Sequence, residues 1–478
     1  MKTRLHLAIV ILSSLASTSL HAVEHVPVPS PDELFQNARQ VMQTYPHIAQ
    51  SMTSSKHNGF GGEASRAIAN HMVSRDFEPA LKDAAEMLDI EAYGKGTWFL
   101  RWPWVNSVVF ETSEGLVLVD TGHAPAGPTL VKTLSELSDK PIHTVIFSHS
   151  HIDHAYGAWA IEASGQSPRY IASTEFRTQM GLDIQLADFT NAAMNNQSPK
   201  DVPRSWSDMV QPTETFYGRL EIEVGGETFV LFTARGETED HVWVYAPERN
   251  LVVSGDLHQP FLPNAGNGKR RQRHVQEWAE ALRNMAAFEP ELVLPLHGDA
   301  IKGGELVQEK LQLVARAFES IVDQVVDGLN QGYFRDDVIH SVALPEDLQN
   351  HPDLDTYYNT PTDIARMVMR DFTGWWDGTP ANWQSAPERD KARAIVELGG
   401  GLDAYLPKAR ETMKSDIVMA SHMADWAYYA APEDPRVLQL GLDVYSARVK
   451  PGMPVNQISV YMMHMAELMW RQQKRLAN

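Results

Sequence analysis

Between residue 94 and about residue 330, short apolar runs alternate with amphipathic stretches. Gly96–Trp102, Asn106–Glu111, Leu116–Asp120 and His143–Ser148 read as strands. The last two are apolar at both alternating positions, as expected of strands covered on both faces. Gly127–Ser138 and Ala155–Ala163 carry a helical pattern, and further strands are predicted at Glu227–Thr233, His241–Tyr245, Leu251–Ser254 and Leu292–Leu296. Interleaved strands and helices describe an α/β layered domain. From Gly304 the period changes. Leu306, Val307, Leu311, Val314, Phe318, Ile321, Val322 and Val325 recur at helical spacing, and Gly332–Pro361, rich in Asp, Pro and Asn, reads as a long connection holding the domain boundary. Helices are then predicted at Thr362–Phe372, Glu388–Leu398, Leu402–Lys414, Asp416–Ala431, Asp434–Ala447 and Pro454–Gln473, an all-α domain over 360–474. Ahead of both lies a polar extension, 23–93, with helical patches such as Pro31–Phe35, which Ser30 can cap, and a Gly/Ser-rich loop at Ser54–Gly62.

Met1–Ala22 has another character: Lys2 and Arg4, then apolar and small residues from Leu7 to Leu20. This is the pattern of a secretory signal peptide, too short to span a bilayer, and it implies a periplasmic or secreted protein. Its removal would move the net charge from −20 to −22. An excess of 61 Asp+Glu over 41 Lys+Arg argues against nucleic acid or an anionic membrane surface as partner. No other stretch is apolar enough to cross a membrane. The absence of Cys removes disulfides, thiolate metal ligands and thiol nucleophiles, so any metal must sit on His, Asp and Glu.

The 19 His include a concentrated motif, His149-Ser150-His151-Ile152-Asp153-His154, directly after the apolar strand around Thr144–Phe147. A strand end opening into a tight loop aims four donor side chains into one cleft. Two His can hold one cation, while Asp153 and His154 serve a second. More donors must come from later strand ends. Val252–Asp256 ends in a carboxylate suited to bridging two ions, Leu292–Leu296 runs into His297, and the segment Ala234–His241 offers Glu237, Glu239, Asp240 and His241.

This order of motifs, HxHxDH, Gly-x-Thr, Ser-Gly-Asp and a late strand-end His, resembles the metallo-β-lactamase superfamily, and Leu118-Val119-Asp120-Thr121-Gly122 resembles its early strand, whose Asp supports the site. The resemblance implies an αββα sandwich followed by the all-α domain, with two zinc ions per chain. It assigns His149 and His151 to the first ion, Asp153, His154 and His297 to the second, and Asp256 to the bridge. The superfamily commonly has Gly-His-Thr where this chain has Gly236-Glu237-Thr238. One branch, the zinc alkylsulfatases, is known to use Glu there, which points to Glu237 as the third donor to the first ion, with Glu239 and His241 as alternatives. The helical region resembles the same branch: Gly374-Trp375-Trp376-Asp377-Gly378-Thr379-Pro380-Ala381 is similar to the signature of the alkylsulfatase dimerisation domain. Arg366, eight residues before Gly374, takes the place of an Arg that contacts sulfate in that family. The lipid-carrier-like domain that ends full-length alkylsulfatases is not expected, nor is their Leu-His-Asn segment found; a basic loop, Lys269, Arg270, Arg271 and Arg273, stands nearby instead.

The expectation is therefore a homodimeric dinuclear zinc hydrolase acting on an anionic small-molecule sulfate ester through a metal-bridging hydroxide. Asp153 and Asp256 are the catalytic carboxylates, and Arg366, Arg270 and Arg273 the substrate-binding residues. Alternatives are a lactonase, β-lactam amidase or phosphodiesterase on the same fold, or a non-catalytic exported protein stabilised by metal.

Overall fold

The computed structural model describes residues 26–57, 85–189 and 202–477. The leader Met1–Ala22 and much of the N-terminal extension, including most of Ser54–Gly62, lie outside the described residues.

Among the described residues, thirteen strands form two sheets. The first has seven, in order β1 (Asp89–Ala92), β2 (Thr97–Arg101), β3 (Asn106–Glu111), β4 (Leu116–Val119), β5 (Ile142–Ile146), β6 (Arg169–Ser173) and β7 (Glu214–Phe216). It is antiparallel up to β4 and parallel from β4 to β7. The second has six: β8 (Arg219–Val224), β9 (Glu227–Ala234), β10 (His241–Ala246), β11 (Leu251–Gly255), β12 (Leu292–Pro295) and β13 (Ile301–Lys302). Within it, β11 and β12 run parallel.

Apolar runs without alternation require cover on both faces, and both faces are covered. In β4, Val117 and Val119 point into the layer between the sheets with Val108, Phe110, Ile146, Val244, Val253 and Leu294. Leu116 and Leu118 point the other way, onto the helices Gly127–Leu137 and Phe176–Gln185, through Leu130, Leu134, Phe176 and Met180. The second sheet repeats this: Trp243, Val252 and Val293 face outward onto the helices Val275–Ala287 and Gly304–Asn330. The product is helix, sheet, sheet, helix, followed by a helical region.

Three boundaries depart from the sequence reading. Helix Pro361–Thr373 carries Ile364, Ala365, Val368 and Met369 into the core beneath the second sheet, so this first predicted helix of the all-α unit packs on the metal-bearing sandwich. The extension 23–93 is no separate unit where described. Val41 and Ile48 of its helices join Leu438, Leu442, Ile458 and Met465 in the C-terminal helical core, while Asp89–Ala92 is the edge strand of the first sheet. Within the predicted long connection a helix forms at Arg335–Ser341. Periodicity shows that a helix has an apolar face but not which core receives it. Among the described residues, no helix is long and apolar enough to cross a membrane.

Candidate metal centre

The donors converge because strands from both sheets end at one edge of the sandwich. The loop after β4 carries Asp120, the loop after β5 carries His149 to His154, β11 delivers Asp256, β12 delivers His297, and the β9–β10 loop carries Glu237. Asp256 is the hub. One carboxylate oxygen, Oδ1, lies 3.3 Å from His154 Nε2; the other, Oδ2, lies 2.9 Å from His297 Nε2 and 3.6 Å from His149 Nε2. Asp153 Oδ2 stands 3.5 Å from His154 Nε2 and 3.8 Å from His297 Nε2. His149 Nε2 and His151 Nδ1 face each other at 2.8 Å.

The tautomers follow from the partners. Asp120, buried and at φ +60°, accepts the Ser148 amide at 2.6 Å and the Ser148 hydroxyl at 2.5 Å, and takes His154 Nδ1–H at 2.7 Å. Since the Ser148 hydroxyl donates to Asp120, its oxygen accepts from His149 Nδ1, at 2.9 Å. His297 Nδ1 donates to the Trp104 carbonyl. In each ring Nδ1–H is committed to a partner of the scaffold, which leaves Nε2 as the nitrogen facing Asp256. Outer partners that fix the tautomer are the usual support of metal-binding imidazoles.

Burial disfavours charge throughout the cluster. It holds His149 and His151 well below the ordinary imidazole range. For His154 and His297 burial is outweighed by Asp256: His154 is raised well above that range, with help from Asp153 and Asp120, and His297 to about 9. Burial opposes the Asp256 anion as well, but His154, His297 and His149 together hold its carboxyl well below the usual value. Glu237 is pushed up to about 7 by burial against the opposing pull of Arg273.

This donor set fits divalent cations. Groups of donor atoms within 4.8 Å of one another are Asp153, His154 and His297; His151, Glu237 and Asp256; His149, His241 and Asp256; and Asp120, His149 and His154. His154 Nε2 and Asp256 Oδ1 are buried with no hydrogen-bond partner. Imidazole and carboxylate donors without thiolate suit zinc and similar ions.

Among the alternatives for the first ion, Glu239 stands apart, paired with Arg235 at 2.8 Å and His274 at 2.7 Å. His241 lies beside the donors, its ring stacked on His149 at 4.8 Å, but its Nε2 already accepts the Asp256 amide at 3.0 Å. Gly255 makes this approach possible: at φ +59°, a Cβ there would fall 2.2 Å from His241 Cε1. Glu237 faces the cluster.

The basic loop divides its cations. Lys269 Nζ donates to Ser459 Oγ at 3.0 Å, Arg271 pairs with Asp183 at 2.9 Å, and Arg273 pairs with Glu237 at 2.7 Å. The Arg270 side chain has no hydrogen-bond or ion-pair partner among the described residues, and its Nε is buried. After burial its charge is the largest influence lowering His151, and burial followed by Arg273 pulls Arg270 itself down to about 10. Two expectations are corrected here. Arg273, 1% exposed, spends its guanidinium on Glu237 and the Asn264 carbonyl and cannot reach a substrate. Arg366 is half-exposed on its helix, 3.6 Å from Asp363 and 3.3 Å from His340, with no partner in the donor cluster. The sequence reading missed Ser148, Gln259, whose Nε2 donates to Glu237 at 2.9 Å, and the Trp104 carbonyl; none bears a motif that could reveal it.

A two-sheet sandwich with His and carboxylate donors gathered at one strand-end edge defines a metallo-β-lactamase-type hydrolase. Comparison with known proteins agrees: residues 102–297 match the Metallo-beta-lactamase superfamily, and residues 335–470 match Alkyl sulfatase dimerisation. The chain carries a metallo-β-lactamase domain followed by an alkylsulfatase dimerisation domain, and it is an enzyme. It is 26% identical over 75% of its length to a linear primary-alkylsulfatase of Pseudomonas sp. (strain ATCC 19151), covering 73% of that protein. It is 23% identical over 71% of its length to an alkyl/aryl-sulfatase of Saccharomyces cerevisiae, covering 57% of it. The solved structure of the stereoselective inverting sec-alkylsulfatase Pisa1 from Pseudomonas sp. superposes with a TM-score of 0.70 at 19% identity, covering 92% of this chain and 78% of that one, and shares its fold.

Proposed function

We propose that this protein is a dinuclear zinc hydrolase that cleaves organic sulfate esters. The observation that carries the proposal is the arrangement around Asp256, with His149, His151 and Glu237 on one side and Asp153, His154 and His297 on the other, beside an arginine with no partner. The first three would hold one ion, the second three the other, and Asp256 would join them. Ions held there would supply a hydroxide from water near neutral pH and offset the negative charge that develops on the ester. The chain's residues do the rest. Asp120 and Ser148 keep the imidazoles in the required tautomer, and Asp256 spaces the two donor groups. Arg270 offers the anionic end of the substrate a planar set of donors suited to sulfate oxygens. This local cation, rather than Arg366, would meet the anion at the site within a chain that is acidic as a whole. The names of the relatives support a sulfate ester as substrate, and the 335–470 match supports assembly as a homodimer. Export of the mature protein, inferred from Met1–Ala22, belongs to the same proposal.

The test is hydrolysis of a panel of primary, secondary and aryl sulfate esters by zinc-loaded protein in oxygen-labelled water. Turnover that is lost on chelation and returns with zinc is expected, and the label in sulfate or alcohol identifies the bond broken. A protein inert on every sulfate ester but active on lactones or β-lactams would overturn the substrate class. Sedimentation at micromolar concentration is expected to give a species of two-chain mass; a single species of one-chain mass would remove the assembly reading.

A further inference from the structure

Glu237 and Asp256 place donor atoms within 4.8 Å of each other and of His151, and both residues are buried. A carboxylate buried that close to another needs a partner that fixes where it points. The residue against Glu237 is Arg273. Its Nη2 meets Glu237 Oε1 at 2.7 Å, with the side chains 1% and 5% exposed, while Gln259 Nε2 covers Oε2 at 2.9 Å. The Asn264 carbonyl accepts from the other terminal nitrogen, and Asn264 is tied to the same loop through its amide, which donates to Gln259 Oε1 at 3.0 Å. Arg273, Gln259 and Asn264 thus form a closed bracket around one carboxylate.

From this geometry we infer that Arg273 is a positioning residue for the first metal site: buried against Glu237, it holds that carboxylate in place and aimed at the donor cluster. The inference rests on the reading of Glu237 as a donor. The guanidinium holds Glu237 in place independently of any ion. Arg270, three residues earlier and with an unpaired side chain, is the one proposed for the substrate, so the two arginines of one loop have separate tasks.

The test uses the full chain stripped by a chelator, with zinc affinity measured at pH 8 by competition with a chromophoric chelator and thermal unfolding followed with and without zinc. Arg273→Met is expected to unfold earlier without zinc and to bind the first-site zinc about tenfold more weakly, because Glu237 loses the partner that holds it in place. Arg273→Lys, which keeps the charge, should hold the wild-type affinity. Glu237→His should lose first-site zinc, because Arg273 is left unpaired beside the ion, and Glu237→His/Arg273→Met should regain it. Glu237→Gln/Arg273→Met should unfold later than Arg273→Met alone, and this comparison carries the test should the single variant fold poorly. The inference is overturned by Arg273→Met or Arg273→Lys behaving alike, or by a double variant no better than Glu237→His. A distinct result, Glu237→Gln keeping both zinc equivalents at wild-type affinity, would instead remove Glu237 from the donors and with it the metal-site reading beneath.

Discussion

At the residue scale the centre depends on protons being held in the right place. Asp120 does this for His154 directly and for His149 through Ser148. Asp120→Asn keeps the size but loses an acceptor, so the Ser148 and His154 bonds compete with an amide donor. Zinc affinity is expected to fall by about 10–100-fold, the usual cost of removing such a support, read by chelator competition. Arg270→Ala tests a different task. With no structural partner to lose, it should leave zinc content and thermal stability near wild type while raising KM for a sulfate ester by about tenfold or more. Equal loss of zinc in this variant would place Arg270 with the scaffold instead. The motif His149–His154 was legible in the sequence because four donors crowd into six residues. The division between Arg270 and Arg273 was not: the sequence assigned both to the substrate, since two arginines three residues apart look alike until one is seen buried against Glu237.

At the scale of elements, strands bring the donors together and helices hold the strands. Helix Gly304–Asn330 lies under the second sheet through a continuous apolar stripe, and Phe318 on it meets Trp278 edge to face at 5.4 Å with neither exposed. Phe318→Ala should cost about 3–5 kcal/mol of stability, the range for a large ring removed from a closed core, as measured by denaturant unfolding. A second element-level tie is electrostatic. His274 bridges Glu239 of the β9–β10 loop at 2.7 Å and Asp371 of helix Pro361–Thr373 at 3.1 Å. Burial would lower its pKa, but these two carboxylates raise it above the model-peptide value of 6.5. A raised folded-state pKa means protonation favours the fold. The contribution is therefore full below about pH 6.5 and is lost as pH rises through the folded-state value. The gap in melting temperature between wild type and His274→Gln should be wider at pH 5.5 than at pH 8.5; a gap independent of pH would assign His274 a packing role only. The strand and helix positions around these contacts were largely legible, with β3 predicted at its observed limits. Strands β1, β6, β7, β8 and β13 were not predicted: β1, β7, β8 and β13 are short, partly exposed or at sheet edges, where pairing rather than pattern decides, while β6 is a buried inner strand whose apolar run was passed over.

At the scale of the molecule, the N-terminal helices belong to the far end of the chain. Val41 and Ile48 are fully buried with Ile458 and Met465, and Arg471 donates to the Pro27 carbonyl at 2.7 Å. Deleting residues 1–54 should therefore destabilise the C-terminal helical region while leaving the donor cluster's own strands intact, a loss visible as a lower melting temperature with zinc affinity largely retained. By itself the sequence determined the class of architecture, because runs apolar on both alternations demand two covering layers and a helical stripe demands a core. It also determined the chemistry on offer, because a Cys-free chain with clustered His and carboxylates has no other way to hold a metal. Only the tertiary structure decided which donors meet. Glu237, Glu239 and His241 lie within five residues of one another, yet backbone direction aims the first at Asp256, turns the second to Arg235 and His274, and sets the third behind Asp256 as an acceptor for its amide. Arg366 met neither donor nor cleft because its helix faces Asp363 and His340. Spacing along a chain limits what can converge, but the packing of sheets and loops selects which side chains share the dry space where charge is costly and chemistry is possible.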